Sequence, residues 1–176
     1  YTIPQLRLAE ILIENSVLDK IFICNSGAEA NEGAIKLARK WGRQNKNGAN
    51  KILTAFDSFH GRTISTLAAT GQPKYHETFM PVTEGFDYFE LNNIDSLKSK
   101  IDDNTVGIMI EVVQGEGGVN ICSQEFVQNV RKICDDKNII MIIDEVQTGI
   151  GRLGSFYGYE KFGVEPDVIT LAKGLG

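Results

Sequence analysis

Residues that build metal centres and disulfide frameworks are scarce in this chain: among 176 residues there are three cysteines and two histidines. Cys24, Cys122 and Cys134 are odd in number and show no CxxC spacing, which argues against a disulfide framework and against a zinc site. Reduced thiols in a cytosolic protein are the simpler reading. Cys134 follows Phe126, Val127 and Val130 on one helical face and so belongs to the core. His60 and His76 have no second His or Cys at ligand spacing, so no metal is expected. Long apolar runs are also missing: none approaches the roughly 18–20 residues that cross a bilayer, and no basic segment leads into an apolar one. Positive charge is short as well. With 18 Lys+Arg against 23 Asp+Glu the net charge is −5, and no basic cluster offers a surface to nucleic acid or anionic lipid.

What remains is ordinary for a globular α/β protein. Hydrophobic residues make up 42% and charged residues 23%, too apolar for disorder. There is no internal repeat and no low-complexity linker, which predicts one domain or part of one. The start at Tyr1 and the stop at Gly176, directly after an expected strand, suggest a piece of something longer.

Periodicity predicts the elements. Thr2-Ile3-Pro4 opens a helix with Leu8, Ile11 and Leu12 on one face. A short strand is expected at Lys20–Asn25. A helix follows from Ala28 to Asn45, with Ala34, Leu37, Ala38 and Trp41 in helical spacing, acids in its first turn and Lys36, Arg39, Lys40 and Arg43 later, an order that complements the helix dipole. Further on we expect a strand at Lys51–Phe56, a helix at Arg62–Thr70, an irregular stretch at 72–86, a strand at Asp87–Leu91 and a small helix near 94–100. The order then runs strand (Val106–Val113), helix (Gln124–Lys137), strand (Ile139–Asp144), strand (Val168–Leu171). The runs IIMII and VITL are continuous and apolar, as in strands covered on both faces. Alternation of this kind predicts an α/β fold with a mainly parallel sheet. Eleven of the 18 glycines lie in residues 107–176, many just past expected strands, and open α/β sheets bind ligands beyond the carboxyl ends of their strands.

Four such ends carry chemistry. Asn25–Glu32 is a glycine turn entering a helix, where free N–H groups would cradle a phosphate; Ser26-x-x-Glu29 is equally a plain capping box. Phe59-His60-Gly61-Arg62-Thr63 puts an aromatic and a guanidinium beside a tight turn, suited to a flat ring and a carboxylate, or to a simple surface turn and cap. The run Ile139–Ile143 delivers Asp144 at the end of a buried strand, where desolvation makes a charge matter most. An acidic strand end also suits a P-loop NTPase, but no GxxxxGK[ST] segment precedes it. The Gly149–Gly154 match to GxGxxG is displaced from a strand-to-helix turn by Glu145–Thr148 and lacks an apolar helix after it, against a dinucleotide fold. Lys173, reached through Ala172 from the last strand, is either a nucleophile in a desolvated pocket or the first solvated residue after a strand. A phosphate cradle, an aromatic plate, a carboxylate and a strand-end lysine are together the parts that hold pyridoxal 5'-phosphate (PLP): the lysine for the Schiff base, the carboxylate for the ring nitrogen.

The segments NSGAEANEGAIKLAR (25–39), FHGRT (59–63), QGEGG (114–118), DEVQTGIGR (144–152) and PDVITLAKG (166–174) resemble, in order and across nearly the whole chain, the class III ω-amino-acid aminotransferases of PLP fold type I. The resemblance implies that this is the central part of a PLP-binding large domain, a mainly parallel sheet flanked by helices, with the N-terminal segment, the rest of that domain and a C-terminal small domain lying outside residues 1–176. It assigns Ser26, Gly27 and Ala28 to the phosphate cradle, Phe59 and Val146 to the two faces of the pyridine ring, and Asp144 to the ring nitrogen. Glu145 is carried among the cofactor-binding residues. Gln147 matches the side chain on the phenolic oxygen and Lys173 the Schiff-base lysine. Arg62 is the substrate-carboxylate arginine, and Glu111 and Glu116 are active-site acids facing substrate. Val112 stands where many relatives have Pro. The implied reaction is ping-pong transfer of the terminal amine of N-acetylornithine to 2-oxoglutarate, giving N-acetylglutamate semialdehyde and glutamate in arginine biosynthesis; ornithine and 4-aminobutyrate are the rival donors. A cytoplasmic homodimer with a shared active site is implied too. Because relatives place a partner threonine and a second substrate arginine after the lysine, this chain by itself is expected to be inactive, and a non-catalytic fragment is the alternative.

Overall fold

A computed structural model describes residues 2–176. The elements, in chain order, are α1 (Ile3–Glu14), α2 (Gly27–Asn45), β1 (Lys51–Ala55), α3 (Ile64–Ala69), α4 (Pro73–His76), β2 (Phe86–Phe89), α5 (Ile94–Lys100), β3 (Thr105–Ile110), β4 (Val113–Gln114), β5 (Asn120–Ile121), α6 (Gln124–Lys137), β6 (Ile140–Asp144) and β7 (Val168–Thr170). Single 3-10 turns occupy Glu77–Phe79, Gly158–Phe162 and Lys173–Leu175. No helix among the described residues is long and apolar enough to cross a membrane.

Five strands form one sheet in the order β2-β1-β3-β6-β7, and every pairing is parallel. Parallel neighbours need crossovers, and here helical segments supply several of them: α3 and α4 lead from β1 to β2, and α6 leads into β6. The sheet has a core on each face. Ile140 and Ile142 lie with Ala34, Ile35 and Ala38 of α2, whereas Met141 and Ile143 lie with Phe126, Val127, Val130 and Cys134 of α6. This odd–even division is the period of two of a strand. Fully burying each of these large side chains contributes roughly 1.5–3 kcal/mol.

The helices that frame the sheet are well specified locally. The Ser26 hydroxyl caps α2 by accepting from the Glu29 N–H at 3.2 Å. Ser123 caps α6 in the same way through the Phe126 N–H, and Asn138, in the left-handed conformation at φ 52°, ends that helix.

Four expectations are corrected. Lys20–Asn25 joins no ladder among the described residues, and Ile21, Phe22 and Ile23 are exposed; an apolar run makes a strand only beside a partner. The expected strand at 106–113 stops at Ile110, and Val113–Gln114 instead pairs antiparallel with Asn120–Ile121. β7 is an edge of the described sheet, so Val168 and Ile169 are half-buried rather than covered on both faces. The stretch 72–86, expected to be irregular, contains α4 and a 3-10 turn.

Candidate active site at the strand ends

The segments that leave the carboxyl ends of β1, β6 and β7 meet the first turns of α2. Gly27 explains how closely. A Cβ there would come within 2.9 Å of both Val146 methyls and 3.3 Å of Ala172, so a side chain would push the helix start away from both strand ends. Gly61, at φ 134°, makes a second close approach, its Cβ position 3.0 Å from Ala28. The motifs 25–39, 59–63, 144–152 and 166–174 are thereby in mutual contact, although up to about 150 residues separate them in the chain. The N–H groups of Gly27 and Ala28 have no protein acceptor among the described residues, leaving two donors at the positive end of the helix.

Asp144 is the centre of the buried half of the site, 3% exposed. Its parity puts it on the α2 face with Ile140 and Ile142. Oδ2 accepts from Asn31 Nδ2 at 2.7 Å and lies 2.8 Å from His60 Nδ1; Oδ1 accepts from the Val146 N–H at 3.0 Å and from the Thr170 hydroxyl at 3.3 Å. The Asn31 amide, the Val146 N–H and the Thr170 hydroxyl all donate to this carboxyl, so it is an acceptor and the His60 proton is assigned to Nδ1. Burial opposes a charge on His60, yet the hydrogen bond and charge of Asp144, helped by Glu111, raise its pKa above the ordinary histidine value. Two polar atoms here have no partner: His60 Nε2 and Asn31 Oδ1.

Glu145 is not part of this constellation, contrary to expectation. One residue along the strand, its side chain turns to the opposite face, where its two oxygens accept from the N–H groups of Gly158 and Tyr159 at 2.7 and 2.6 Å. Burial pushes its pKa up to about 7. Its side chain holds the loop after β6.

The open half is arranged differently. Lys173 starts the 3-10 turn after β7 at φ 48°, a left-handed conformation unusual for a lysine. Its Nζ donates to Gln147 Oε1 at 2.5 Å. The desolvated pocket considered for this lysine is not seen: Lys173 is exposed, because it follows an edge strand of the described sheet. Arg62, also exposed, lies over the rings of Tyr75 and Phe59, at 5.1 and 5.8 Å. Phe59 and Tyr75 meet edge to face at 5.9 Å, and the Tyr75 hydroxyl donates to Glu116 at 3.2 Å. Glu111 departs from its expected place among the substrate-facing acids. It is buried, and its Oε2 accepts from the Phe59 N–H at 2.9 Å, so it fixes the backbone that carries the aromatic ring. Burial pushes Glu111 up to about 7, with the charge of His60 opposing and that of Asp144 adding.

Sequence reasoning missed Asn31, His60, Thr170 and Tyr75. His60 has no metal-ligand partner in the sequence, yet it sits inside FHGRT. Asn31 did leave a signal: positions 31, 34, 35 and 38 form one helical stripe, and Asn31 is the polar member of it.

Comparison with known proteins agrees with this geometry. The profile of the family described as "Aminotransferase class-III" matches residues 2–176. Acetylornithine aminotransferase of Methanocaldococcus jannaschii is 53% identical over 181 aligned residues, covering 100% of this chain and 44% of that protein. The chain thus spans less than half the length of this curated relative. Among solved structures, N-acetylornithine aminotransferase from Stenotrophomonas maltophilia superimposes with a TM-score of 0.81 at 35% identity, covering 99% of this chain and 43% of that one. A PLP-bound amine transaminase from an uncultivated Pseudomonas species gives a TM-score of 0.92 at 26% identity, over 99% of this chain and 45% of that one. Strand-end geometry, family profile and full-length similarity coincide, and the chain belongs to the class-III aminotransferases.

Proposed function

We propose that this chain supplies the ring- and phosphate-holding part of a PLP site, and that the protein carrying it moves the terminal amine of N-acetylornithine to 2-oxoglutarate. The observation that carries the cofactor reading is the buried Asp144, held by four donors at the end of β6, with the Lys173–Gln147 pair at the neighbouring strand end. The residues fit the group. Two unpartnered N–H donors at Gly27 and Ala28 suit a phosphate, an ionised carboxylate suits a protonated ring nitrogen, and Phe59 and Val146 are apolar surfaces for the ring's faces. PLP is the cofactor of this family, and when bound it supplies an electron sink for the carbon that bears the amine.

The chain's own residues then divide the work. Asp144 keeps a negative charge opposite the ring nitrogen, and His60, Asn31, Thr170 and the Val146 N–H hold its orientation. Glu111 fixes the Phe59 backbone, and Gln147 steadies the lysine amine. With PLP bound, Lys173 Nζ would move a proton between the amine-bearing carbon and the cofactor's C4′ carbon, in opposite directions in the two halves of the ping-pong cycle. Arg62, with its planar fork, is suited to the substrate carboxylate, and Glu116, joined to it through Tyr75, lies on the substrate side.

The donor assignment is supported by relatives carrying the name acetylornithine aminotransferase at about half identity. That the chain is the central part of a larger cofactor-binding domain is supported by its 44% share of the M. jannaschii protein. A homodimer with a shared site rests on the family resemblance. A cytoplasmic setting rests on it too, together with three free cysteines. The test is kcat/KM for N-acetylornithine, ornithine and 4-aminobutyrate, measured with the protein expressed from its full gene. N-acetylornithine is expected to lead by at least tenfold; preference for free ornithine or 4-aminobutyrate rejects the donor assignment while leaving the cofactor reading standing.

A further inference from the structure

Asn31 is 1% exposed on the second turn of α2, and its amide is arranged at a cost. Nδ2 donates both to Asp144 Oδ2 and to the His60 carbonyl, each at 2.7 Å, while Oδ1 has no partner. Flipping the amide would set Oδ1 against a carboxylate oxygen and a carbonyl oxygen, two acceptors, so the observed orientation is the one that bonds. An unpartnered buried oxygen is unfavourable. A leucine of similar size on this apolar stripe would remove that cost and pack beside Ala34 and Ile35. What a leucine would lose is both bonds, to the His60 carbonyl and to Asp144 Oδ2; the second is the one that bears on the strand-end carboxylate.

The consequence falls on one oxygen. Oδ2 of Asp144 is gripped from two sides, by Asn31 on α2 and by His60 in the FHGRT turn, whereas Oδ1 is held by its own chain neighbour Val146 and, at 3.3 Å, by Thr170 on β7. Without Asn31, Oδ2 would keep the imidazole alone, and the carboxylate would lose its one anchor on the helix side while Oδ1 stays held. We propose that Asn31 is a positioning residue for cofactor binding: by fixing Oδ2 from the helix side, it orients the Asp144 carboxylate toward the ring nitrogen of PLP. The proposal rests on the reading of Asp144 as the partner of that nitrogen.

Binding, without turnover, tests it. The apo form of the full-length protein and its Asn31→Leu variant are titrated with PLP and with the deaza analogue in which C–H replaces the ring nitrogen. The wild type is expected to prefer PLP over the analogue. Asn31→Leu is expected to weaken PLP binding about tenfold, as for a lost hydrogen bond to a charged group, and to leave the analogue's affinity within twofold. Equal losses for both ligands would assign Asn31 a merely structural role and overturn the proposal, as would an unchanged PLP affinity. A wild type that binds the two ligands equally would instead overturn the reading of Asp144, and this proposal with it. Asn31→Ala, which removes the same donor without introducing a branched side chain, reads the same comparison if the leucine variant does not fold.

Discussion

Asp144 and Glu145 are adjacent, both acidic and both buried, yet their carboxyl groups bond different partners. Asp144 continues the even-numbered face of β6 and meets α2, His60 and Thr170. Glu145 looks to the other side and closes the loop at Gly158–Tyr159. Asp144 is surrounded by side chains from three other segments of the chain and stands at the converging strand ends; the two oxygens of Glu145 are spent on backbone N–H groups. What separates a chemical role from a scaffolding role here is the period of two of a strand, not residue type or burial.

Substitution at the two positions should therefore fail in different ways. Asp144→Asn is expected to produce the largest effect: turnover falls by several orders of magnitude, and the protein remains folded with a stability loss of about 1–3 kcal/mol. Steady-state kinetics beside urea unfolding reads both quantities, and near-normal turnover would break the contrast. Glu145→Gln should act on stability and its pH dependence. The Glu145 carboxyl has its pKa raised by burial from the ordinary carboxylate range to about 7, so between about pH 4.5 and 7 the folded state binds a proton that the unfolded state has lost. Its contribution is complete below the lower value and fades as pH rises through the upper one. Wild-type unfolding free energy is expected to drop by about 1–3 kcal/mol more than that of Glu145→Gln between pH 4.5 and 8; parallel curves for the two proteins would contradict this. Thr170→Val should matter least. Its bond to Asp144 is long at 3.3 Å, and a two- to threefold fall in turnover is expected for a weak, neutral donor. A loss comparable with Asp144→Asn would mean that Oδ1, not Oδ2, is the critical oxygen.

Much of this was legible in the sequence because local signals and tertiary packing agreed. The cap at Ser26, the charge order of α2 and the apolar stripe of α6 each predicted an element within a residue or so of where it lies. IIMII predicted β6, and with it the position of Asp144. The failures share a physical cause, which is dependence on a partner elsewhere. Ile21-Phe22-Ile23 reads as a strand, but a ladder needs a second strand. Lys173 reads as either a desolvated nucleophile or a solvated residue, because burial needs something beyond β7. Glu145 sits in the same motif as Asp144, and its side-chain direction follows from the alternation of β6 carried one residue past the strand's end. Asn31 and His60 required knowing that α2 and the FHGRT turn meet at the end of β6.

The central claim is that these strand ends form one PLP site whose covalent anchor is Lys173. It is tested most directly by incubating the full-length protein with PLP, reducing it with borohydride to trap the lysine-bound cofactor, and locating the added mass among its peptides. The account predicts the label on the peptide containing Lys173 and its disappearance in Lys173→Ala; label on a different lysine, or none in the folded wild type, would contradict it.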